Sequence, residues 1–230
     1  MTTHKPAALY YRILQYQKAN YGRLKEVFDL TTLDDPSKDT FALLEKVDVI
    51  FAPLGYTFDS KKIDMAKKLK VIASNTTGHP HIDVEYAKKK GITVITLKHH
   101  SDFLRTITPT AELTWGLIIA LTRNMIPAVT YSLSGKWDRR PFGGQSMLSR
   151  MTLGIAGLGR LGSMVAGYAH SFGMNVLFYD PFISEWDERF EKNDTLEDLV
   201  SQSDIISVHV PHEKSTEKMF NEYIFSHFKP

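Results

Sequence analysis

The chain has 230 residues, of which 43% are hydrophobic and 23% charged, and it contains no cysteine. Its 28 basic and 26 acidic residues leave a formal charge of +2, which gives no electrostatic indication of a nucleic-acid partner. This composition is typical of a globular protein and excludes a disordered tail, a collagen-like repeat, a disulfide framework and a thiolate metal site.

The N-terminus has no apolar run followed by a small-residue cleavage site, so it does not have the pattern of a signal peptide. The most apolar stretch, Leu113 to Leu121, is far shorter than the roughly 20 residues that cross a bilayer. We therefore expect a cytoplasmic protein with no membrane partner.

Short β-rich runs alternate with helical stretches in the first hundred residues. The runs are 47–52, 69–73 and 92–97, and helical spacing of apolar residues covers 62–68 and 84–90. Gly91 ends the second helix, whose last turn carries three lysines that complement the helix dipole. This alternation predicts parallel strands joined by crossover helices, which is an α/β fold.

A long apolar helix is predicted from about Pro109, with Thr110 as its N-cap. Because it is apolar nearly all round, we expect it to be buried, between two domains. A polar, turn-rich segment follows at 132–150. We place the domain boundary just before this helix, which divides the chain into domains at 1–105 and 106–230. The apolar residues of the helix recur at i+4 spacing as Leu113, Leu117, Leu121 and Met125.

A glycine-rich turn follows the short apolar strand predicted at 153–156, with G-x-G-x-x-G spacing at Gly157, Gly159 and Gly162. The first glycine makes the tight turn, the second lets the backbone approach a pyrophosphate, and the third lets helix and strand pack closely. The pyrophosphate would lie at the helix N-terminus, where N–H groups and the helix dipole favour an anion. The spacing predicts a dinucleotide-binding site.

Asp180 follows the next predicted strand, 176–179, where an acidic residue accepts hydrogen bonds from the adenosine ribose. The same carboxylate would repel the 2′-phosphate of NADP, and the three residues after it include no arginine to bind that phosphate. The pattern therefore predicts NAD as the cofactor. An Asp-Pro turn explains this aspartate equally simply when it is considered alone.

The histidines are weaker indications of function. His209 follows a further predicted strand, 205–208, and we favour a packed or hydrogen-bonded role for it, since no orienting acid is visible beside it. Four others lack the one-face geometry of a helical His-x-x-x-His pair. We interpret them as surface residues and expect no metal site; they are His79, His81, His99 and His100.

Several blocks in order resemble the D-isomer-specific 2-hydroxyacid dehydrogenase family, particularly its phosphoglycerate-dehydrogenase-like branch. The resemblance runs from about Val71 to the last residue and is faint before it. It implies two doubly wound parallel-sheet domains, a flavodoxin-like substrate domain and a Rossmann NAD-binding domain, with NAD and substrate in a cleft between them. The blocks are 76–83, 90–94, 110–114, 135–138, the glycine motif, 178–181 and 203–211.

The resemblance also implies roles for single residues. Thr76, Thr77 and Gly78 would form the substrate site, with the backbone amides of the last two on the carboxylate and Thr77 also near the nicotinamide. Many relatives have Gly-x-Gly in this loop, so the identity of the 2-hydroxy acid stays open. Besides the three glycines, the cofactor would contact Arg160 and Leu161 at the diphosphate, Asp180 at the ribose, and Val210 and Pro211 at the adenine half.

The family's catalytic arginine, glutamate and histidine are expected outside this chain. In the family an Asn-x-x-Arg-Gly strand follows shortly after the Lys-Pro pair seen at Lys229 and Pro230. We therefore expect a fragment of a longer NAD-dependent oxidoreductase, a homodimer at full length, that interconverts a 2-hydroxy acid and a 2-keto acid. The chain alone would be inactive, and its incomplete second sheet would leave an apolar edge strand.

Other interpretations stay open. A short NAD-binding module or pseudoenzyme with a regulatory role fits the same glycine motif. A sugar-nucleotide or S-adenosylmethionine binder fits Asp180 but not the Thr-Thr-Gly block. Arg105, expected in a loop that faces the cleft, would suit a phosphorylated acid. A solvated surface arginine explains it as well.

Overall fold

The computed structural model of the chain describes residues 5–144 and 146–229. Two compact units divide the chain, Met1–Leu104 and Arg105–Pro230. Each unit contains one sheet, and every pair of neighbouring strands in both sheets is parallel. The predicted fold class, two α/β domains with parallel sheets, is confirmed.

The sheet of the first unit has the order β2-β1-β3-β4-β5, which is the flavodoxin-like order. Each of the three predicted runs contains one strand, shorter than predicted. The strands are β1 Ala7–Tyr11, β2 Asp29–Leu33, β3 Val49–Phe51, β4 Val71–Ala73 and β5 Thr93–Ile95. The helices as far as residue 105 are α1 Lys18–Val27, α2 Phe41–Leu44, α3 Ser60–Met65, α4 Val84–Lys89 and α5 Ser101–Arg105.

Local capping explains where two of these helices begin. The side chain of Asp59 accepts a hydrogen bond from the Lys62 N–H at 2.9 Å, and Asp83 does the same for Tyr86 at 3.0 Å. The prediction of a helix at 62–68 overlooked the first of these caps, so α3 begins two residues earlier. The apolar faces of the helices cover a core that includes Leu9, Tyr11, Ile50, Phe58 and Ile72.

The sheet of the second unit has the order β8-β7-β6-β9, which matches strands 3-2-1-4 of a Rossmann sheet, and β9 forms one edge. Its strands are β6 Thr152–Ala156, β7 Asn175–Tyr179, β8 Glu191–Lys192 and β9 Ile205–Val208. The helices of this unit are α6 Pro109–Thr122, α7 Met125–Leu133, α8 Arg160–Ser171, α9 Leu196–Gln202 and α10 Glu222–Phe225.

The prediction of one long buried helix from Pro109 is wrong in three respects. The N-cap is Thr108 rather than Thr110, with Pro109 in the first turn. The helix ends at Thr122, and Asn124, with φ of +49°, separates it from α7. One face of α6 packs on α8, but the other is exposed, because no described residue of this unit covers it. The exposed residues include Leu113 (66%), Leu117 (54%) and Leu121 (74%).

Within the described ranges, no single helix is long and apolar enough to cross a membrane. The segments Ser101–Thr122 and Met125–Leu133 meet the length and composition together, but they bend by 68° at the break.

Candidate cofactor-binding site and substrate loop

Two of the three motif glycines are required by the packing of the second unit itself. Gly157 has φ of +92°, and a Cβ there would lie 2.9 Å from the Val210 side chain. A Cβ on Gly162 would lie 2.1 Å from the carbonyl oxygen of Gly157. A side chain at either position would force the turn away from β6 and β9.

Gly159 is different, because the protein's own packing does not require a glycine there. It is the N-cap of α8, it is exposed, and a Cβ on it would meet no atom within 4 Å. The missing side chain leaves the first turn of α8 open, where a helix has N–H groups without intrahelical partners. This open turn fits the diphosphate of a dinucleotide, as the motif predicts.

Asp180 lies at the end of β7 and is hydrogen-bonded to two backbone amides. Its Oδ2 accepts a bond from Leu158 N at 3.0 Å, and its Oδ1 accepts one from Phe182 N at 3.0 Å. The second bond is the Asp-Pro turn that was the alternative explanation of this residue. Because each carboxylate oxygen has two lone pairs, both oxygens can also accept a ribose hydroxyl.

A cavity of about 490 Å³ brings five of the predicted cofactor residues together. They are Gly157, Gly159, Asp180, Val210 and Pro211. The sequence reasoning missed several other lining residues, of which only Tyr179 and Pro181 adjoin a predicted one in the chain. These are Tyr179, Pro181, Phe182, Glu213, Ser215, Thr216 and Met219.

Of the other predicted cofactor residues, Thr77 lies in the loop after β4 of the first unit, and three lie in the first turn of α8. The Arg160 guanidinium donates to the carbonyl of Ile107 at 2.7 Å, so its side chain ties α8 to the segment before α6. Leu161 packs against the core of the unit, and Gly162 is buried. Leu161 and Gly162 therefore offer no polar side chain to a diphosphate, and their contacts with one would use the backbone amides.

His209 is half-buried beside this cavity and is hydrogen-bonded, as expected. Its Nε2 lies 2.8 Å from the hydroxyl of Ser207. Burial lowers the pKa of its imidazole below the usual range. Burial thus favours the neutral form of the ring.

The predicted substrate loop follows β4 in the first unit, at the carboxyl end of a parallel sheet, where α/β folds bind ligands. Thr77 and Gly78 are exposed. Gly78 has no side chain that could block a ligand from reaching their backbone amides. The Thr76 hydroxyl donates to the carbonyl of Gly78 at 2.6 Å. The loop therefore has a defined turn conformation without any ligand.

Two predictions in this region are wrong. His81 is not a surface residue: it is 7% exposed, and its Nε2 lies 3.3 Å from the Ser74 hydroxyl. A long-range contact buries it, because its neighbour Ile82 forms a parallel bridge with Phe58. Arg105 does not lie in a loop; it is the last residue of α5, with its side chain exposed.

In the part of the chain that the structure describes, no group of three or more His, Cys, Asp or Glu side chains could hold a metal ion. The His99 side chain, which the metal hypothesis considered, lies outside the described residues.

The two units match two models of one protein family. Residues 8–114 match the catalytic domain of the D-isomer specific 2-hydroxyacid dehydrogenases, and residues 115–230 match the NAD binding domain. The chain belongs to this family. The match confirms the predicted family and NAD-binding domain, and it begins at residue 8, so the limit placed at Val71 was wrong.

Individual relatives agree with the family model. The chain is 40% identical over 195 residues to D-3-phosphoglycerate dehydrogenase of Methanocaldococcus jannaschii, covering 82% of this chain and 36% of the relative. It is 34% identical over 197 residues to hydroxypyruvate reductase of Thermotoga maritima, covering 86% and 62%. The chain thus spans between one third and two thirds of the length of these relatives.

Among solved structures, D-lactate dehydrogenase from Aquifex aeolicus, complexed with NAD and lactic acid, matches the chain with a TM-score of 0.81. The identity is 31%, and the match covers 96% of this chain and 66% of that one. The fold of both units is therefore that of a 2-hydroxyacid dehydrogenase.

Proposed function

We propose that this chain binds NAD and forms part of an oxidoreductase that interconverts a D-2-hydroxy acid and the corresponding 2-keto acid. The observation that carries the proposal is the open glycine at the start of α8, beside a strand-end carboxylate. Glycine at position 159 has no packing reason within the protein, and its place at the start of α8, in the cavity with Asp180, supports a role toward a ligand.

The bound nicotinamide would supply the acceptor or donor of hydride. The residues of this chain would hold the rest of the cofactor. The α8 amides would bind the diphosphate, Asp180 the adenosine ribose, and Val210 and Pro211 the adenine half. A carboxylate at the ribose position selects NAD over NADP, because it would repel a 2′-phosphate.

The Thr76–Gly78 loop would bind the substrate carboxylate through the amides of Thr77 and Gly78. Two N–H donors on adjacent residues orient the substrate carboxylate and leave the rest of the substrate molecule free. We propose a substrate of the phosphoglycerate-dehydrogenase type, supported by the identity with the Methanocaldococcus jannaschii enzyme. Arg105 is exposed at the end of α5 and offers a cation for a phosphorylated acid.

We assign the transfer of the proton to residues other than those of this chain. The resemblance implies an arginine, a glutamate and a histidine for catalysis, and their motifs do not occur in the 230 residues. His209, half-buried with Ser207 as partner, adjoins the proposed adenine half rather than the reacting end. The chain alone would therefore bind NAD without turnover.

The exposed apolar face of α6 and α7 supports a homodimer. Large apolar side chains on both helices are more than half exposed, and such a contiguous patch is typical of a protein interface. In a two-fold symmetric dimer, the same patch of a second copy of the chain would cover this patch, and both would be buried. The residues are Leu113, Leu117, Leu121, Ile126, Val129 and Leu133.

Calorimetric titration of the 230-residue chain with NAD and with NADP tests the cofactor assignment. We expect a single NAD site per chain and weaker binding of NADP; a chain that binds neither would disprove the cofactor assignment.

Sequencing the gene past the codon for Pro230 tests the reaction. A frame that encodes Asn-x-x-Arg-Gly and then a glutamate and a histidine should give a product that oxidises NADH with glyoxylate or hydroxypyruvate. An immediate stop codon would leave a cofactor-binding module and remove the catalytic proposal.

A further inference from the structure

A chain of polar atoms lies beneath the Thr77–Gly78 segment in the first unit. Ser74 and His81 are both 7% exposed, and the Ser74 hydroxyl lies 3.3 Å from His81 Nε2. The same hydroxyl lies 2.9 Å from that of Thr76, which lies 2.6 Å from the carbonyl oxygen of Gly78. The atoms thus connect a buried imidazole to the exposed loop.

The number of protons determines the direction of these hydrogen bonds. A carbonyl oxygen only accepts, so the single hydroxyl proton of Thr76 is used on Gly78. The Ser74 proton has two acceptors within reach, Thr76 Oγ1 at 2.9 Å and the Ala52 carbonyl at 3.1 Å. The contact between the two hydroxyls is a hydrogen bond only when Ser74 donates to Thr76.

With the Ser74 proton directed to Thr76, the Ser74 oxygen still needs a donor, and His81 supplies it. Its Nε2 lies 3.3 Å from the Ser74 hydroxyl, within hydrogen-bond reach. A proton on Nε2 therefore gives the Ser74 oxygen its donor. The other ring nitrogen, Nδ1, is buried without a partner, which is the arrangement expected for its unprotonated form.

We propose that His81, Ser74 and Thr76 form a one-directional hydrogen-bond chain that positions the Gly78 carbonyl and so fixes the turn that carries the amides of Thr77 and Gly78, which would receive the substrate carboxylate. The three are positioning residues, since only the loop amides would touch the substrate. The inference rests on the proposed function of this loop. It assigns the buried histidine a purpose that neither the fold nor the cofactor site requires.

The backbone supports this arrangement from two sides. The amide of Leu97 donates to the carbonyl of Thr76 at 3.0 Å, and the amide of Phe58 donates to the carbonyl of His81 at 2.7 Å. Both ends of the turn are therefore attached to other segments, and the side-chain hydrogen bonds determine the conformation between them. Removing one hydroxyl should change the loop without unfolding the unit.

The first test is the state of the histidine in the unliganded chain. Nitrogen-15 NMR of the imidazole at neutral pH should show the Nε2-protonated tautomer for His81. A proton on Nδ1 would overturn the proposal, because the Ser74 oxygen would then lack its donor. This measurement does not depend on any ligand.

The second test compares Thr76→Val, which removes the hydroxyl at nearly the same volume, with Thr76→Ser, which keeps it. We expect Thr76→Val to shift the Gly78 carbonyl and amide resonances and Thr76→Ser to restore them, while Thr93→Val on exposed β5 leaves them unchanged. Resonances of Thr76→Val at wild-type positions would contradict the proposal.

Oxamate, which carries a carboxylate beside an amide carbonyl, is the probe for the functional consequence. We expect it to shift the amides of Thr77 and Gly78, with affinity about tenfold weaker in Thr76→Val and recovered in Thr76→Ser. Equal affinity in all three proteins would overturn the positioning role. If oxamate leaves the wild-type amides unmoved, the carboxylate-binding function fails, while the tautomer and the valine variant still decide whether the hydrogen-bond chain exists.

Discussion

The carboxylate of Asp180 accepts a hydrogen bond from the backbone amide of Leu158, inside the glycine turn, at 3.0 Å. One bond thus attaches the end of β7 to the turn after β6, two strands that lie side by side in the sheet. The carboxylate proposed to bind the ribose and the turn proposed to bind the diphosphate therefore hold each other in position before any cofactor binds.

Asp180→Asn should weaken NAD binding about tenfold to a hundredfold, because a hydrogen bond to a charged group contributes about 1.5–3 kcal/mol. The same change should reduce the discrimination against NADP, since the repelling charge is gone. Calorimetric titration with both nucleotides measures the two effects. Asp187→Asn is the matched control, because that carboxylate pairs with Arg189 outside the cavity. Equal NAD affinity in both variants would remove Asp180 from the site.

Three glycine-to-alanine changes in one segment separate packing from ligand binding. Gly162→Ala should destabilise the second unit, because its Cβ would lie 2.1 Å from the Gly157 carbonyl oxygen. Gly159→Ala should lower the melting temperature far less than Gly162→Ala, because its Cβ meets no protein atom within 4 Å and only an N-cap preference is lost. It should weaken NAD binding, because that Cβ occupies the open turn.

Gly167→Ala is the control for that series. The residue lies in α8, and a Cβ there also meets nothing within 4 Å. We expect it to stabilise the unit by about 0.5–1 kcal/mol through helix propensity, with unchanged NAD affinity. Thermal melts and titrations of all three variants give the comparison. Wild-type NAD affinity in Gly159→Ala would contradict the assignment of the open turn.

The stability of the second unit should fall as the pH is lowered from about 7.5 to about 5.5. Burial lowers the pKa of His209 in the folded state, so the unfolded chain takes up a proton first as the pH falls. The contribution of His209 to stability is complete above the pKa of the unfolded state, and it is lost as the pH falls to the pKa of the folded state. His209→Gln should show a smaller loss, and His212→Gln, which changes an exposed histidine, should match wild type.

Urea unfolding followed by tryptophan fluorescence measures this effect for the second unit. All three tryptophans, Trp115, Trp137 and Trp186, lie in it. A stability that does not depend on pH in the wild type would show that His209 titrates alike in both states.

Lys62→Met should strongly destabilise the first unit. Lys62 Nζ lies 2.7 Å from Asp39, and the two side chains are 19% and 5% exposed. Tyr11 also donates to this carboxylate at 2.9 Å. Removing one partner of a buried ion pair costs about 3–5 kcal/mol, because the other charge stays buried.

Arg12→Met is the matched comparison, since Arg12 pairs with Asp34 at 2.8 Å and both side chains are about two-thirds exposed. An exposed pair contributes at most about 1 kcal/mol. Thermal unfolding followed by circular dichroism should rank the two variants in this order. A similar small effect for both would mean that water reaches the Lys62 pair.

Leu117→Glu should convert a dimer to a monomer, because it places a charge in the middle of the exposed face of α6. Val27→Glu changes an equally exposed apolar residue of the first unit and should leave the dimer intact. Sedimentation velocity measures the mass of each. A wild-type chain that sediments as a monomer would refute the homodimer.

The glycine turn, the strand-end acid and the alternation of strands and helices could be predicted from the sequence because each depends on neighbouring residues. Gly157, Gly162 and Asp180 lie within one strand-turn-helix-strand segment, so their spacing alone places them together. The capping residues Asp59 and Thr108 are equally local, and reading them closely would have corrected the helix boundaries.

Only the tertiary structure decided which apolar and polar residues are covered. The leucines of α6 have the spacing of a buried helix, yet within their unit only the face toward α8 is packed. His81 has the sequence surroundings of a loop, yet the bridge between Phe58 and Ile82 encloses it beside Ser74. Burial depends on contacts between segments far apart in the chain, and one-dimensional spacing does not contain them.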